Sequence, residues 1–403
     1  MIDSKLAGEL APQNYRVDSD ALLTPALAIY PDAVQHNIQS MLRLLEGKPG
    51  RWRPHLKTVK LASMIRLLVD SKVTSAKCAT TLELLVACQS GMRDVLVAYP
   101  HGGRNVRRIA EIAAEFPEVH VSAIVESEEQ VRPWMGTPVG LFIDINTGMD
   151  RTGMRRDSAK EIGELASAIE AANLIFRGIH FYDGHATEAD LEQRTVKAHA
   201  RYEELLAVVS RLDRERIRVA EVITSGTPAL PCALSYPGLW NASFTCQVSP
   251  GTVVYGDASS LQQLPQEYGF RSAVLVISRV VSHPKTNVIT CDAGHKSLSV
   301  DSGVPNCIVL ENPGLRPLKP SEEHLPLEVD QESHVPEIGS ALYLMPRHVC
   351  PTVNNFNEAV MVNQGVITGM EPVSARGREA PLISSQSGDG SSLHSITPAA
   401  LAL

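Results

Sequence analysis

Between about residue 50 and residue 250, eight short runs rich in β-branched residues alternate with longer segments of helical period. No other feature of the chain restricts its fold as much. Strands are expected near 52–56, 74–78, 94–98, 119–124, 138–144, 174–181, 219–224 and 245–249. LASMIRLLV at 61–69 and AKEIGELASAIEAA at 159–172 space their apolar residues for one buried helix face, so each strand can be covered by a helix. Eight successive units of this kind predict an α/β fold, a closed (β/α)8 TIM barrel, with an open doubly wound sheet as the rival.

The texture changes after residue 265. RSAVLVISRVVSH, TNVITCDAG, SALYLM and EAVMVNQGVITGM are β-rich, and ENPGLRPLKPSEEHLPLEVDQE between them is rich in proline and charge. We therefore expect a barrel over 21–265 and a mostly β domain over 266–378 together with 1–20. The Ser- and Gly-rich stretch 379–403 is expected to be a flexible tail.

Lys and Arg number 37 against 45 Asp and Glu, a net charge of −8, and nucleic acid is not an expected partner. No apolar run approaches the ~20 residues of a spanning helix, and MIDSKLAGELAPQNY lacks the regions of a signal peptide. No membrane partner and a cytoplasmic location are the expectations. The seven cysteines are widely spaced and mostly set in apolar segments, which predicts buried free thiols.

RWRPHLKTVK, residues 51–60, concentrates Arg51, Arg53, His55, Lys57 and Lys60 around Pro54 in this acidic chain. A barrel carries its active site at the C-terminal ends of its strands, with a phosphate site commonly in the loops after strands seven and eight. Lys57 falls just past strand one. Thr224-Ser225-Gly226-Thr227-Pro228 follows strand seven and Pro250-Gly251-Thr252 follows strand eight. Hydroxyls and closely approaching glycine N–H groups suit a phosphate, which offers only acceptors. A lysine at the mouth of a phosphate-holding barrel points to a pyridoxal 5'-phosphate Schiff base, with the cations around it expected to favour the neutral amine. Lys60 and Lys296 are the rival lysines, and a solvated basic face is the bland alternative.

RPHLKT, NTGMDRTGM, GIHFYDGH, TSGTPAL, PGTVVYGD, CDAGHKSLSVD and MPRHVCPTVN occur in that order. Together they resemble the successive motifs of the D-serine dehydratase and D-threonine aldolase family, whose barrel is of the alanine racemase type (fold type III). The resemblance runs from about residue 20 to about residue 378. It implies a homodimer and assigns the Schiff-base lysine to Lys57. It gives a carboxylate- or cofactor-facing role to Arg151 and places His180 and Tyr182 beside the cofactor ring. The phosphate falls to Ser225, Gly226, Thr227 and the segment from Gly251 through Thr252 to Tyr255. His180 and Tyr182 lie two apart on an expected strand and so share a face. The role of His185 is not separated from theirs.

His348 and Cys350 also lie two apart, on one side of a segment expected to be extended. Two ligands do not close a zinc shell, and an open shell is what a catalytic metal keeps. The resemblance implies a metal held by this pair, and the thiolate favours zinc over manganese or magnesium. The expected activity is a lyase acting on a small β-hydroxy D-amino acid, first of all a D-serine dehydratase giving a 2-oxo acid and ammonia. Retro-aldol cleavage of the D-threonine aldolase type is the second reading. A racemase and a non-catalytic cofactor carrier are the remaining ones.

Overall fold

The computed structural model describes residues 7–381, so most of the expected tail lies outside the described residues. The barrel forms as its alternation requires. Ser75–Cys78, Asp94–Val97, His120–Val125, Gly140–Asn146, Phe176–Phe181, Glu221–Thr224 and Thr245–Val248 pair in parallel, each with the next. Residues 52–56 close the ring with two isolated parallel bridges, Trp52 to Val248 and His55 to Lys77. Backbone bonds from Arg53 N to Val248 O (2.9 Å) and from Leu56 N to Lys77 O (2.7 Å) reinforce them. The open doubly wound sheet is thereby excluded. Pro54 has no N–H to give, yet its carbonyl accepts from Lys77 N at 2.8 Å, so proline interrupts the strand without opening the seam.

Side chains alternate in and out along each strand, and the inward set forms layers. Leu96, Ile124, Phe142 and Ile223, none more than 4% exposed, form an apolar cluster of their own inside the ring. Below it Arg53 forks onto Asp94 (2.9 and 2.7 Å) and reaches Glu221 at 3.1 Å and Gln247 at 2.6 Å. Arg177 bonds Asp94 at 2.8 Å and also Glu221. Above it lies a polar layer that includes Lys77, Asp144 and His180. The charged floor consumes Arg53, the most buried of the basic residues in the stretch 51–60.

A second, nine-stranded sheet follows the barrel. Its centre is the long strand Val274–Lys285, which pairs antiparallel with Ala26–Ile29, Val288–Cys291 and Ala341–Pro346. Glu358–Asn363 lies parallel to Ala26–Ile29 on the other side. Ala26–Ile29 thus belongs to this sheet, although it falls within the stretch 21–265 read as barrel. Its four residues are all buried and carry no alternation, a pattern that a barrel strand shares with a central strand of any covered sheet. No helix among the described residues is long and apolar enough to cross a membrane.

The floor network makes a stability prediction. Arg53→Met leaves Asp94 and Glu221 facing one another with Arg177 as their remaining cation, and should cost about 3–5 kcal/mol in urea unfolding. Arg53 and Arg177 hold the Asp94 carboxyl below its ordinary value against the opposing effect of burial. A carboxylate lowered by folding stabilises above its ordinary value, and that contribution is lost as pH falls through the folded one. The gap between wild type and variant should therefore narrow below about pH 4.

Candidate active site

The decapeptide's charges are distributed by the strand's alternation and by the turn that follows it. Arg51 lies over the Trp240 ring at 4.8 Å, and Arg53 is in the floor. Lys60, 5% exposed, adopts a left-handed backbone and bonds Glu83 at 2.8 Å and the Ala375 carbonyl at 3.0 Å. Its amine is a clasp between the barrel and the end of the β domain. Lys296 bridges Glu322 (2.8 Å) and Glu323 (2.9 Å) on the surface, which raises it above the ordinary lysine range. Neither rival lysine is free. Lys57, half-buried, forms no ion pair among the described residues and follows directly on the strand end. Carboxylates bind both Arg53 and Lys60, the cations expected to flank it.

His55 is held well below its ordinary value by burial and by the amines of Lys57 and Lys77, so its ring is neutral. Its Nδ1 accepts the Lys57 backbone N–H at 3.3 Å. Across the barrel, the His180 and Tyr182 rings lie parallel, with centroids 6.3 Å apart and 7° between planes. His180 Nδ1 bonds Asp144 at 2.7 Å, and Thr152 Oγ1 donates to the same carboxylate at 2.7 Å. Arg151 is exposed, without a carboxylate partner among the described residues, and stands 5.7 Å from the Tyr182 ring. Asp144, Thr152, His180, Tyr182 and Arg151 line one cleft. Larger hollows lie elsewhere, among them one of about 830 Å³ around Arg316 and Asp330, so size does not locate this site.

The loops after strands seven and eight have the character a phosphate requires. Thr224 Oγ1, Ser225 Oγ and Ser249 Oγ are buried with no hydrogen-bond partner, a costly state unless a ligand accepts from them. Ser225 takes a left-handed φ of 51°, a conformation unusual for a residue with a side chain and common at ligand-holding turns. Gly251 lies against the first strand so closely that a Cβ would stand 2.5 Å from His55 O. These residues fit the phosphate end of pyridoxal phosphate.

Other expected phosphate residues are engaged differently. Gly226 N–H donates to Asp183 at 3.2 Å, and what Gly226 contributes is the room its missing Cβ leaves beside Tyr182. The Tyr255 hydroxyl donates to Val59 O at 2.7 Å, which anchors the turn following Lys57. Thr227 is buried, and Thr252 Oγ1 faces Cys350 Sγ at 3.9 Å. His185 lies apart from the cleft, within 3.8 Å of the position a Cβ on Gly148 would take.

His348 and Cys350 do converge, but not on an extended segment. His348 caps the short helix Val349–Asn354, and Cys350 sits in its first turn. Asp257, buried, accepts Val349 N–H at 3.0 Å and Thr352 Oγ1 donates back to His348 O at 2.8 Å, so the strand-to-helix corner is fixed from both sides. His348 Nδ1 bonds Asp301 at 2.6 Å, which leaves Nε2 as the metal-facing nitrogen. Burial disfavours the charged ring, yet Cys350, Asp257 and Asp301 outweigh it and push His348 up to about 9.

All seven cysteines are free and buried, and burial raises six of the thiols. Cys350 alone is brought below its ordinary value: burial works the other way, but His348, Lys57 and Thr58 prevail. Thr58 Oγ1 lies 3.0 Å from its sulfur. Cys350 thus touches the residue that follows Lys57. Among the described residues no third His, Cys, Asp or Glu joins His348 and Cys350, so a metal held here keeps open positions.

The family model "Alanine racemase, N-terminal domain" matches residues 29–259, more than half of the chain. The chain belongs to that family. A second family model, "Putative serine dehydratase domain", matches residues 273–362, the β domain carrying His348 and Cys350. A 3-hydroxy-D-aspartate aldolase of Paracoccus denitrificans is 28% identical over 90% of this chain and 94% of its own length. A D-serine dehydratase of Dictyostelium discoideum is 22% identical over 88% of this chain and 98% of its own. The crystal structure of D-threonine aldolase from Filomicrobium marinum superposes with a TM-score of 0.80 at 26% identity, covering 88% of this chain and 96% of that one. The resemblance drawn from the motifs holds for both halves of the chain.

Sequence reasoning missed Lys77, Asp144, Ser249 and Asp301. Asp144 was within reach, since a carboxylate inside the apolar strand GLFIDIN is buried only with a partner. Ser225→Ala and Ser249→Ala should each weaken pyridoxal phosphate binding about tenfold, read by spectroscopic titration of the apoprotein. The thermal midpoint of the apoprotein should not fall, because neither hydroxyl has a partner to lose.

Proposed function

We propose that this protein is a pyridoxal-phosphate- and metal-dependent lyase acting on β-hydroxy D-amino acids, of the D-serine dehydratase type. What supports the reading is that Cys350 Sγ lies 3.0 Å from Thr58 Oγ1, the residue after Lys57, with His348 two residues before Cys350 at the start of the same helix. Lys57 Nζ would hold the cofactor and, when free, would take the proton from the substrate's α-carbon. Bound pyridoxal phosphate supplies an aldehyde for the Lys57 amine and a ring that takes up the electrons the α-proton leaves behind. The hydroxyls of Thr224, Ser225 and Ser249 would hold its phosphate, and His180 and Tyr182 would lie beside its ring.

Arg151, uncommitted at the mouth, receives the substrate's carboxylate through its planar fork. Cys350 and His348 Nε2 would hold the metal, with Asp301 fixing the imidazole's orientation. A zinc ion held there would supply Lewis-acid chemistry toward a β-hydroxyl, and the thiolate favours zinc over manganese or magnesium.

The 28% identity to a 3-hydroxy-D-aspartate aldolase favours a second reading, cleavage of the Cα–Cβ bond to glycine and an aldehyde. D-Serine, D-threonine and 3-hydroxy-D-aspartate distinguish the two: ammonia with a 2-oxo acid supports dehydration, and glycine without ammonia overturns it. The assembly and setting that go with this reading are a homodimer, read by sedimentation, and the cytoplasm.

Lys57→Ala should abolish the absorbance band of lysine-bound cofactor, whereas Lys60→Met and Lys296→Ala keep it. A chelator should remove most lyase activity while the band persists; full activity in verified metal-free protein refutes the metal's role.

A further inference from the structure

The polar layer of the barrel contains a second amine that the chemistry above leaves unused. Lys77, on the strand Ser75–Cys78, is 1% exposed. Its Nζ lies 3.2 Å from His180 Nε2 and 4.7 Å from the centroid of the Tyr182 ring. A buried lysine ordinarily has a carboxylate on it, as Lys60 has Glu83 at 2.8 Å. Lys77 forms no ion pair among the described residues, although desolvating an unpaired ammonium is costly. An amine kept in this position needs a reason other than stability.

The direction of its hydrogen bond follows from Asp144. Burial favours the protonated acid there, but His180 and Thr152 outweigh it and keep the carboxylate ionised. Burial and Lys77 hold His180 below its ordinary value, so the ring is neutral. With Nδ1–H given to Asp144, Nε2 has only a lone pair to offer, and Lys77 must be the donor. Its remaining valences have no partner among the described residues. The charged and titratable groups facing it are Arg53, His55 and Lys57 from the first strand and Asp144 from the fifth. His180, Tyr182 and Asp183 face it from the sixth strand and the residues after it. Burial, then Lys57, brings the Lys77 amine down to about 7, with Asp144 and Asp183 opposing and Arg53 assisting.

We propose that Lys77 is a positioning residue of the cofactor site: an amine tied through His180 to Asp144, in the interior it shares with Lys57, whose charge acts on the bound cofactor ring. The inference rests on the assignment of Lys57 as the anchoring lysine. The Asp144–His180–Lys77 chain holds the amine's place, and the Tyr182 face accommodates its charged form. On the acid side the interior carries an added positive charge, and on the alkaline side a neutral donor.

The test is the absorbance of cofactor-loaded protein, without substrate, from about pH 6 to about pH 9, in wild type, Lys77→Met, Lys77→Arg and Lys57→Ala. Wild type should show a spectral transition near neutral pH that Lys77→Met lacks, and Lys77→Arg should keep the acid-side spectrum throughout. Superimposable profiles for wild type and Lys77→Met, with the band lost in Lys57→Ala, overturn this proposal and leave the Lys57 assignment standing. A band kept in Lys57→Ala and lost in Lys77→Met makes Lys77 the anchor and overturns both. Should Lys77→Met fail to fold, the comparison of wild type with Lys77→Arg decides the same question: identical profiles sink the proposal.

Discussion

Residues 52–60 are the seam on which both the fold and the site depend. Two bridges, to Val248 on one side and Lys77 on the other, turn an open parallel sheet into a closed ring. That closure fixes what each alternate side chain meets. Arg53 goes down to the carboxylates of the floor, His55 stays neutral at mid-height, and Lys57 emerges at the mouth. A shift of one residue would exchange the inward and outward sets and put Lys57 outside. The floor network also ties the first strand to the third, sixth, seventh and eighth, so the fully buried Arg53 and its partners hold the register of the strand that leads to Lys57.

The β domain completes the site. Lys60 and Ala375 clasp the end of that domain to the first turn after Lys57, and Asp257, at the end of the barrel, receives the backbone of the His348 corner. Cys350 is thereby brought beneath Thr58, one residue from Lys57. The thiol's chemistry is a product of this docking: the other six cysteines are pushed up by burial. Cys350 meets an imidazole and an amine.

Much of this was legible in the sequence because periodicity reports on packing. Eight alternating units gave the barrel, and the rule for strand ends gave Lys57 and the seventh and eighth loops. What stayed hidden has identifiable causes. Ala26–Ile29 is short, apolar and buried on both faces, so its pattern carries no information about which sheet it joins. The HVC segment is read as extended from spacing alone, whereas Asp257 and Thr352, one of them distant in sequence, fold it into a helix start. Lys77 sits in SAKC, four residues that give no hint that its amine ends on His180, which lies in another strand and was recognised for other reasons. Tyr255 was placed by motif at the phosphate, but its hydroxyl is spent on Val59.

The central claim, that Lys57 is the covalent anchor of the cofactor, is tested most directly by reducing the cofactor-loaded protein with borohydride and mapping the modified peptide by mass. The account predicts a pyridoxyl adduct on Lys57. An adduct on Lys60, Lys77 or Lys296, or none at all from protein that shows the cofactor band, contradicts it.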